Sequence, residues 1–462
     1  MRLMGIETEY GLVVEGRSPH TQFADSAALV AHCQENAFEG WDYAFESPRA
    51  DLRGFVAEKL SVDPVDAAFD EAGARDADRA DRVLTNGARF YNDHGHPEYA
   101  TPECARILDL VAHDRAGEIV VLRAAKAFEK SSGRKVTVYK NNTDFHGASY
   151  GTHENYLSPR RVGFEALAKG ILPLLIVRQI LFGAGKVGSE VGRSPRFQLS
   201  QRADFLSEVA GVDTLYRRPI FNTRDEPHAD PEKWTRLHVI CGDANRIEWA
   251  TGMKAGVFDL ALRLVEMAEA PSWMICNPVK AFENISKDER FEWKLELENG
   301  HWTTGIEILD SYLSAAEHFL RGSDAATDWV LAQWRLAVED LRIDPMRLAN
   351  RSDWAAKLAM LEKFAEDAGR WDSGTMQSLD LEYHNIDPEE SLFAALDEGG
   401  EVVSLVDPAR IEDSTIAPPA DTRAKQRGDL VSSERDKIVT IGWRRALLRE
   451  GDRVKVVEFQ PA

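Results

Sequence analysis

The sequence predicts an α+β fold, built as one large domain with an appendage or as two domains. Three observations lead there. The 462 residues exceed what a single ordinary core takes up. Strand-like stretches open the chain, and helical periodicity fills its later half. The composition, 44% hydrophobic and 29% charged, is that of a globular protein and excludes collagen-like, low-complexity and wholly disordered chains.

Taken in order, residues 3–14 are rich in β-branched and aromatic side chains and read as a strand entering a turn. At about 46–82 the texture changes. Residues 63–82 hold seven acidic side chains against three arginines, with alanines between them and few large apolar groups. Such a stretch buries little and predicts a mobile inserted loop. Residues 86–93 return to strand character, and His94-Gly95-His96-Pro97 turns the chain. A helix is expected over 109–130, a strand over 135–141 and a long amphipathic helix over 162–182. Further helices are expected at 257–270, 306–320, 325–341 and 354–368, where apolar residues recur at three and four. Pro408 and Pro418-Pro419 mark a boundary, giving a catalytic domain at 1–405 and a small domain at 406–462. Residues 422–462 carry ten basic and six acidic side chains.

Charge narrows the function. Lys plus Arg is 56 and Asp plus Glu is 77, a net −21. Phosphate backbones and anionic membranes repel such a surface, so neither nucleic acid nor membrane is an expected partner. Cys33, Cys104, Cys241 and Cys276 are scattered without a CxxC pair, which fits a reducing compartment rather than a disulfide framework or zinc module. The opening residues lack the apolar run of a secretion signal. The apolar run 171–182 contains Pro173, Arg178 and Gln179 and is too short to span a bilayer. A cytoplasmic location is expected.

The chemistry is read from strand alternation, since positions i and i+2 share a face. Glu7 and Glu9 put two carboxylates on one face of the first strand. Arg89, Tyr91 and Asp93 line one face of another, with Glu98 and Thr101 just beyond the turn. Crowding unpaired carboxylates is costly, and a hard divalent cation such as Mg2+ removes the cost. Alternation also separates His153 and Asn155 from Glu154, and puts Arg236 beside His238. No GxxxxGK[ST] or GxGxxG motif is present, and the glycine-rich run 183–188 lacks the Walker spacing. The residues alone therefore point to a carboxylate-plus-arginine site for Mg-nucleotide on a sheet.

Gly5-Ile6-Glu7-Thr8-Glu9-Tyr10-Gly11, Asn86-Gly87-Ala88-Arg89-Phe90-Tyr91-Asn92-Asp93 and His96-Pro97-Glu98-Tyr99-Ala100-Thr101 resemble the enzymes of the prokaryotic ubiquitin-like protein Pup. That family comprises the Pup ligase and the Pup deamidase/depupylase, both related to glutamine synthetase. Lys140-Asn141-Asn142, Leu199-Ser200-Gln201-Arg202, Arg236-Leu237-His238-Val239 and Thr422-Arg423-Ala424 extend the resemblance over nearly the whole chain. It implies a large glutamine synthetase-like domain with a curved, mainly antiparallel sheet cradling ATP. Glu7, Tyr91 and Glu98 would hold Mg2+, with His153 and His238 as further candidates. Arg89, Thr101, Asn155, Arg236 and Trp443 would contact the nucleotide, and Asp93 would be the catalytic carboxylate, as nucleophile or general base.

The long separation between Gly11 and Asn86 resembles the depupylase branch, as does the spacing from Asp93 to Glu98, whereas Gly5 to Glu9 reads more like the ligase. The resemblance implies an ATP/Mg-dependent amidase. It would hydrolyse the isopeptide bond between Pup and substrate lysines, deamidate Pup's C-terminal glutamine, or both. A Pup–protein ligase and a non-catalytic Pup-binding protein are the alternatives. Partners would be Pup and pupylated proteins. Pup is acidic, so Arg160, Arg161, Arg202 and the basic C-terminal region are candidates for its groove.

Overall fold

The computed structural model describes residues 2–60, 80–145, 147–192 and 194–460. At its centre lies a seven-stranded sheet in which every neighbouring pair is antiparallel. In chain order the strands are β1 Met4–Glu9, β2 Ala37–Glu39, β3 Asp81–Leu84, β4 Arg89–Asp93, β5 His96–Ala100, β6 Thr152–Pro159 and β7 Trp234–Val239. Across the sheet they run β7-β6-β1-β5-β4-β3-β2.

The two-residue period sorts the side chains. Met4 and Ile6 of β1, Tyr156 of β6 and Leu237 and Val239 of β7 enter the main apolar core. Helices Phe164–Val177, Glu248–Glu266, Gly305–Leu320 and Ala325–Ile343 meet them there with side chains such as Leu174, Phe258, Leu309 and Trp334. Each such side chain, fully buried, contributes roughly 1.5–3 kcal/mol. Beneath β4 and β5, Phe90 and Tyr99 pack on helices Gln22–Ala31 and Ile107–Ser132 through Leu29 and Val121. Helices thus cover one face of the sheet, and the polar half of each alternating strand is left for the other.

Most expected helices are present. The helix expected at 109–130 runs Ile107–Ser132 and ends at Gly133, whose φ of 66° supplies the left-handed cap. The helix expected at 257–270 begins earlier, as Glu248–Glu266. The long helix 162–182 is divided into Phe164–Val177 and Gln179–Phe182. The loop expected at about 46–82 ends sooner than its composition suggested. Asp81 and Arg82 are buried in β3, and Ala50–Asp51 pairs with Phe55–Val56. The acidic, alanine-rich residues 61–79 lie outside the described residues.

Near the C-terminus, helix Arg423–Ser433 leads into β8 Ile438–Ile441, β9 Arg445–Glu450 and β10 Arg453–Glu458, a small antiparallel sheet. Ile438, Ile441, Ala446 and Leu448 of this sheet pack on Trp41 and Val83. That packing carries Trp443, in the β8–β9 turn, against the edge of the main sheet. Among the described residues no helix is long and apolar enough to cross a membrane.

Candidate active site

Strand register assembles the site. Glu7 lies opposite His153 on one side and Ala100 on the other, and Glu9 lies opposite Glu98. Tyr91 also faces Glu98, and Asn155 faces His238. These side chains line two adjoining cavities of about 300 and 500 Å³. Thr101, Asn155, Arg236 and Trp443, four of the five residues expected to contact nucleotide, line the smaller one. Arg89, the fifth, lines only the larger, together with Tyr91, Asp93, Glu98, His153 and His238. Glu7, His228, Arg236 and Trp443 belong to both and form the wall between them.

At that wall, Asn155 Nδ2 donates to Glu7 Oε1 at 3.1 Å and Arg236 donates to the same oxygen at 3.3 Å. Arg236 is itself held by Asn155 Oδ1 at 2.6 Å and the Glu226 carbonyl at 2.8 Å. The other Glu7 oxygen lies 3.5 Å from His153 Nδ1 and 4.0 Å from His238 Nδ1. Burial works to raise the Glu7 carboxyl, but His153 and Arg236 outweigh it and hold it below its ordinary value. Burial among arginines, Arg236 first, pushes His238 well below the usual histidine value, and its Nδ1 lies 2.9 Å from Asn155 Oδ1.

Two groups of ligand-capable atoms converge within 4.8 Å: Glu7 with His153 and His238, and Glu9 with Asp93 and Glu98. Tyr91 joins the second group through its hydroxyl, which it donates to Glu98. Burial and the charges of Asp93, Glu7 and Glu9 push Glu98 well above the usual carboxyl value. The imidazole of His153 fits only because residue 151 is glycine, since a Cβ there would overlap the ring. The Gly151 amide meanwhile donates to Glu9 at 2.6 Å.

Asp93 sits at the rim, with a third of its side chain exposed and its Oδ1 3.0 Å from His94 Nδ1. Burial would raise its carboxyl, but the nearby charges of His94, His153 and Arg89 hold it well below its ordinary value, and it is ionised at neutral pH. Glu154 turns to the opposite face, as alternation requires, and meets Arg178 at 2.6 and 2.9 Å inside the core.

Some candidates are placed elsewhere. Arg202 is buried, donating to Ser149 Oγ at 2.6 Å and the Tyr150 carbonyl at 3.0 Å, so it is a structural strut at the cavity floor and not part of a surface groove. Arg160 is committed to Asp225 by two bonds of 2.7 and 2.9 Å. Lys186 of the glycine-rich run pairs with Glu190 and Asp204 in the interior. Sequence reading missed Glu46 and Arg224, which line the larger cavity, and Asp81, which bonds Arg89 behind it. Only β-strand alternation from Arg89 back across the β3–β4 turn could have flagged Asp81, and its acidic neighbours hid it.

The model of the Pup-ligase protein family matches residues 2–447, and the chain belongs to that family. It is 39% identical over 458 residues to a depupylase of Acidothermus cellulolyticus, covering 96% of this chain and 90% of that one. It is 42% identical over 373 residues to a Pup–protein ligase of Acidimicrobium ferrooxidans, covering 78% and 82%. Among solved structures, the complex of Pup with its ligase PafA superposes with a TM-score of 0.83 at 28% identity, over 100% of this chain and 88% of that one. PafA in complex with ADP superposes at 0.77 and 29% identity, over 88% and 92%.

Proposed function

We propose that the protein is an ATP- and Mg2+-dependent amidase acting on Pup, cleaving the isopeptide bond to substrate lysines, deamidating a C-terminal glutamine, or both. The observation that carries this is Asp93, an ionised carboxylate at the mouth of a cavity whose inner wall adjoins a second, nucleotide-sized one. The match to a depupylase over 96% of the chain, against 78% for a ligase, supports hydrolysis over ligation. The ADP complex of the related ligase supports nucleotide as a ligand. The four free cysteines support a reducing, cytoplasmic location.

Thr101, Asn155, Arg236 and Trp443, with Arg89 from the larger cavity, are the residues we assign to nucleotide. The raised Glu98 and its crowd of acids fit a divalent cation, held by Glu7, Tyr91 and Glu98 with His153 and His238. When bound, Mg2+ supplies positive charge that neutralises these acids and polarises phosphate oxygens.

An ionised Asp93 can serve as general base toward water, or attack the amide carbonyl directly. In direct attack, Asp93 Oδ would add to the amide carbonyl, and the C–N bond would break as the departing nitrogen takes a proton from a solvent water, leaving hydroxide. Water would then hydrolyse the acyl-aspartate and restore the carboxylate. His94 holds Asp93 in place, and Arg89 presents positive charge to the same cavity.

Incubation with ATP, Mg2+ and a fluorescent Pup conjugate tests the proposal. Release of Pup is expected. Conjugate formation with ADP production would assign the ligase activity, and binding without turnover would remove catalysis.

A further inference from the structure

Arg89 is the only residue expected to contact nucleotide that stands away from the nucleotide-sized cavity, and its surroundings are unusually complete. Its Nε and one terminal nitrogen both donate to Asp81 Oδ1, at 2.9 and 2.6 Å. The other terminal nitrogen reaches Glu46 Oε1 at 3.4 Å. The guanidinium lies 3.9 Å from the Tyr91 ring centroid and 4.1 Å from that of Trp41.

The holders are themselves held. Trp41 Nε1 donates to the same Glu46 oxygen at 2.7 Å, and the Tyr43 hydroxyl donates to Asp81 Oδ2. Asp81 comes from β3, whereas Trp41, Tyr43 and Glu46 come from the chain after β2. Two separate segments thus converge on one cation, and Asp81 and Arg89 are both buried.

A buried guanidinium bonded on two edges and contacted by two aromatic rings has lost its rotamer freedom before any ligand arrives. Its charge is also fixed. Burial opposes it, but Asp81 outweighs burial and leaves Arg89 more firmly protonated than usual. Asp81 stands opposite Tyr91 in the sheet, and its two oxygens are engaged by Arg89 and Tyr43. Its hydrogen-bonded route to the site therefore runs through Arg89.

We propose that Asp81, supported by Tyr43, Trp41 and Glu46, is a positioning residue that orients Arg89 toward the phosphate end of a nucleotide reaching from the smaller cavity into the larger one. The proposal rests on the amidase reading above for its catalytic consequence, but not for its effect on nucleotide affinity. Asp81→Asn keeps the shape and removes the charge that fixes the guanidinium. Tyr43→Phe removes only the hydroxyl that braces Asp81.

The experiment measures Mg·ATP affinity by calorimetry and single-turnover cleavage of a fluorescent Pup conjugate in wild type, Asp81→Asn, Tyr43→Phe, Arg89→Lys and Asp81→Asn/Arg89→Lys. Melting temperature is recorded for each variant. Asp81→Asn is expected to weaken Mg·ATP binding about fivefold and slow cleavage tenfold or more, with the KM for the conjugate within about threefold. Tyr43→Phe is expected to move both in the same direction by less. In the Arg89→Lys background, Asp81→Asn should add nothing, since lysine cannot make the two-edged bond.

Affinity and rate within twofold of wild type in Asp81→Asn would overturn the proposal. So would an equal loss in both Arg89 backgrounds. If Asp81→Asn fails to fold, Tyr43→Phe decides, and wild-type values there would also overturn it. A wild-type protein that cleaves no conjugate, yet shows the Arg89-dependent loss of Mg·ATP affinity, would sink the amidase reading and leave the positioning role standing.

Discussion

His153 and Glu154 are neighbours in β6 and serve opposite faces of one sheet. His153 Nδ1 lies 3.5 Å from Glu7 on the cavity side, while Glu154 Oε1 meets Arg178 at 2.6 Å in the core. Side chains of similar polarity one position apart therefore answer to different measurements.

Glu154→Ala leaves the Arg178 guanidinium buried without its partner, and also frees the Tyr156 hydroxyl that donates to Glu154 at 2.6 Å. Breaking a buried pair from one side costs about 3–5 kcal/mol. A drop of several degrees in melting temperature, read by calorimetry, is expected. An unchanged melting temperature would show that the pair contributes nothing to folding.

Asp93→Asn should abolish amide cleavage while Mg·ATP still binds, because Asp93 sits at the rim beside His94 and the Glu7, Asn155 and Arg236 contacts at the wall between the cavities are untouched. Single-turnover assays on a fluorescent conjugate measure this. A rate within about tenfold of wild type removes Asp93 from the chemistry.

Glu7→Gln should weaken Mg·ATP binding as well as activity. Glu7 stands in the wall shared by both cavities, and the amide would keep the Asn155 and Arg236 contacts poorly and lose the charge facing His153. Calorimetry is expected to show at least about a tenfold loss, of the size seen when metal-site partners are removed.

Glu98 gives a pH prediction. Its folded-state value is raised, so the folded protein binds this proton more tightly than the unfolded chain does. Its contribution to stability is full below pH 4.5 and is lost as pH rises through the raised value. In EDTA, the melting temperature of Glu98→Gln relative to wild type should therefore climb between pH 5 and pH 8. Saturating Mg2+ should shrink that difference or reverse its sign. A difference that does not vary with pH would mean that Glu98 is already neutralised by a group within the protein.

How far the sequence foretold this site depends on local period. Glu7, Arg89, Tyr91, Asp93 and His153 fall on the cavity face because strand alternation is fixed by backbone geometry, and the expected faces are the observed ones. Asp81 escaped because the same residue type, repeated through residues 63–78, reads as solvated charge; its role is set by a partner across the β3–β4 turn. Arg202 lines the floor of the larger cavity and not an open surface, a placement hidden for the converse reason. A basic side chain reads as surface, and only tertiary packing shows its guanidinium spent on Ser149 and two backbone carbonyls. The division of the helix near Arg178 was likewise hidden, since apolar residues continue on both sides of it.

Glu7 and Arg236 stand between two chambers, so an occupant of either alters the surface the other presents. Free energy passed through such a partition is reciprocal. If peptide binds tenfold more tightly once nucleotide is in place, nucleotide binds tenfold more tightly once peptide is in place, a coupling of about 1.4 kcal/mol. A nucleotide in the smaller chamber can therefore tune its neighbour simply by residing there, with no phosphate bond broken to do so.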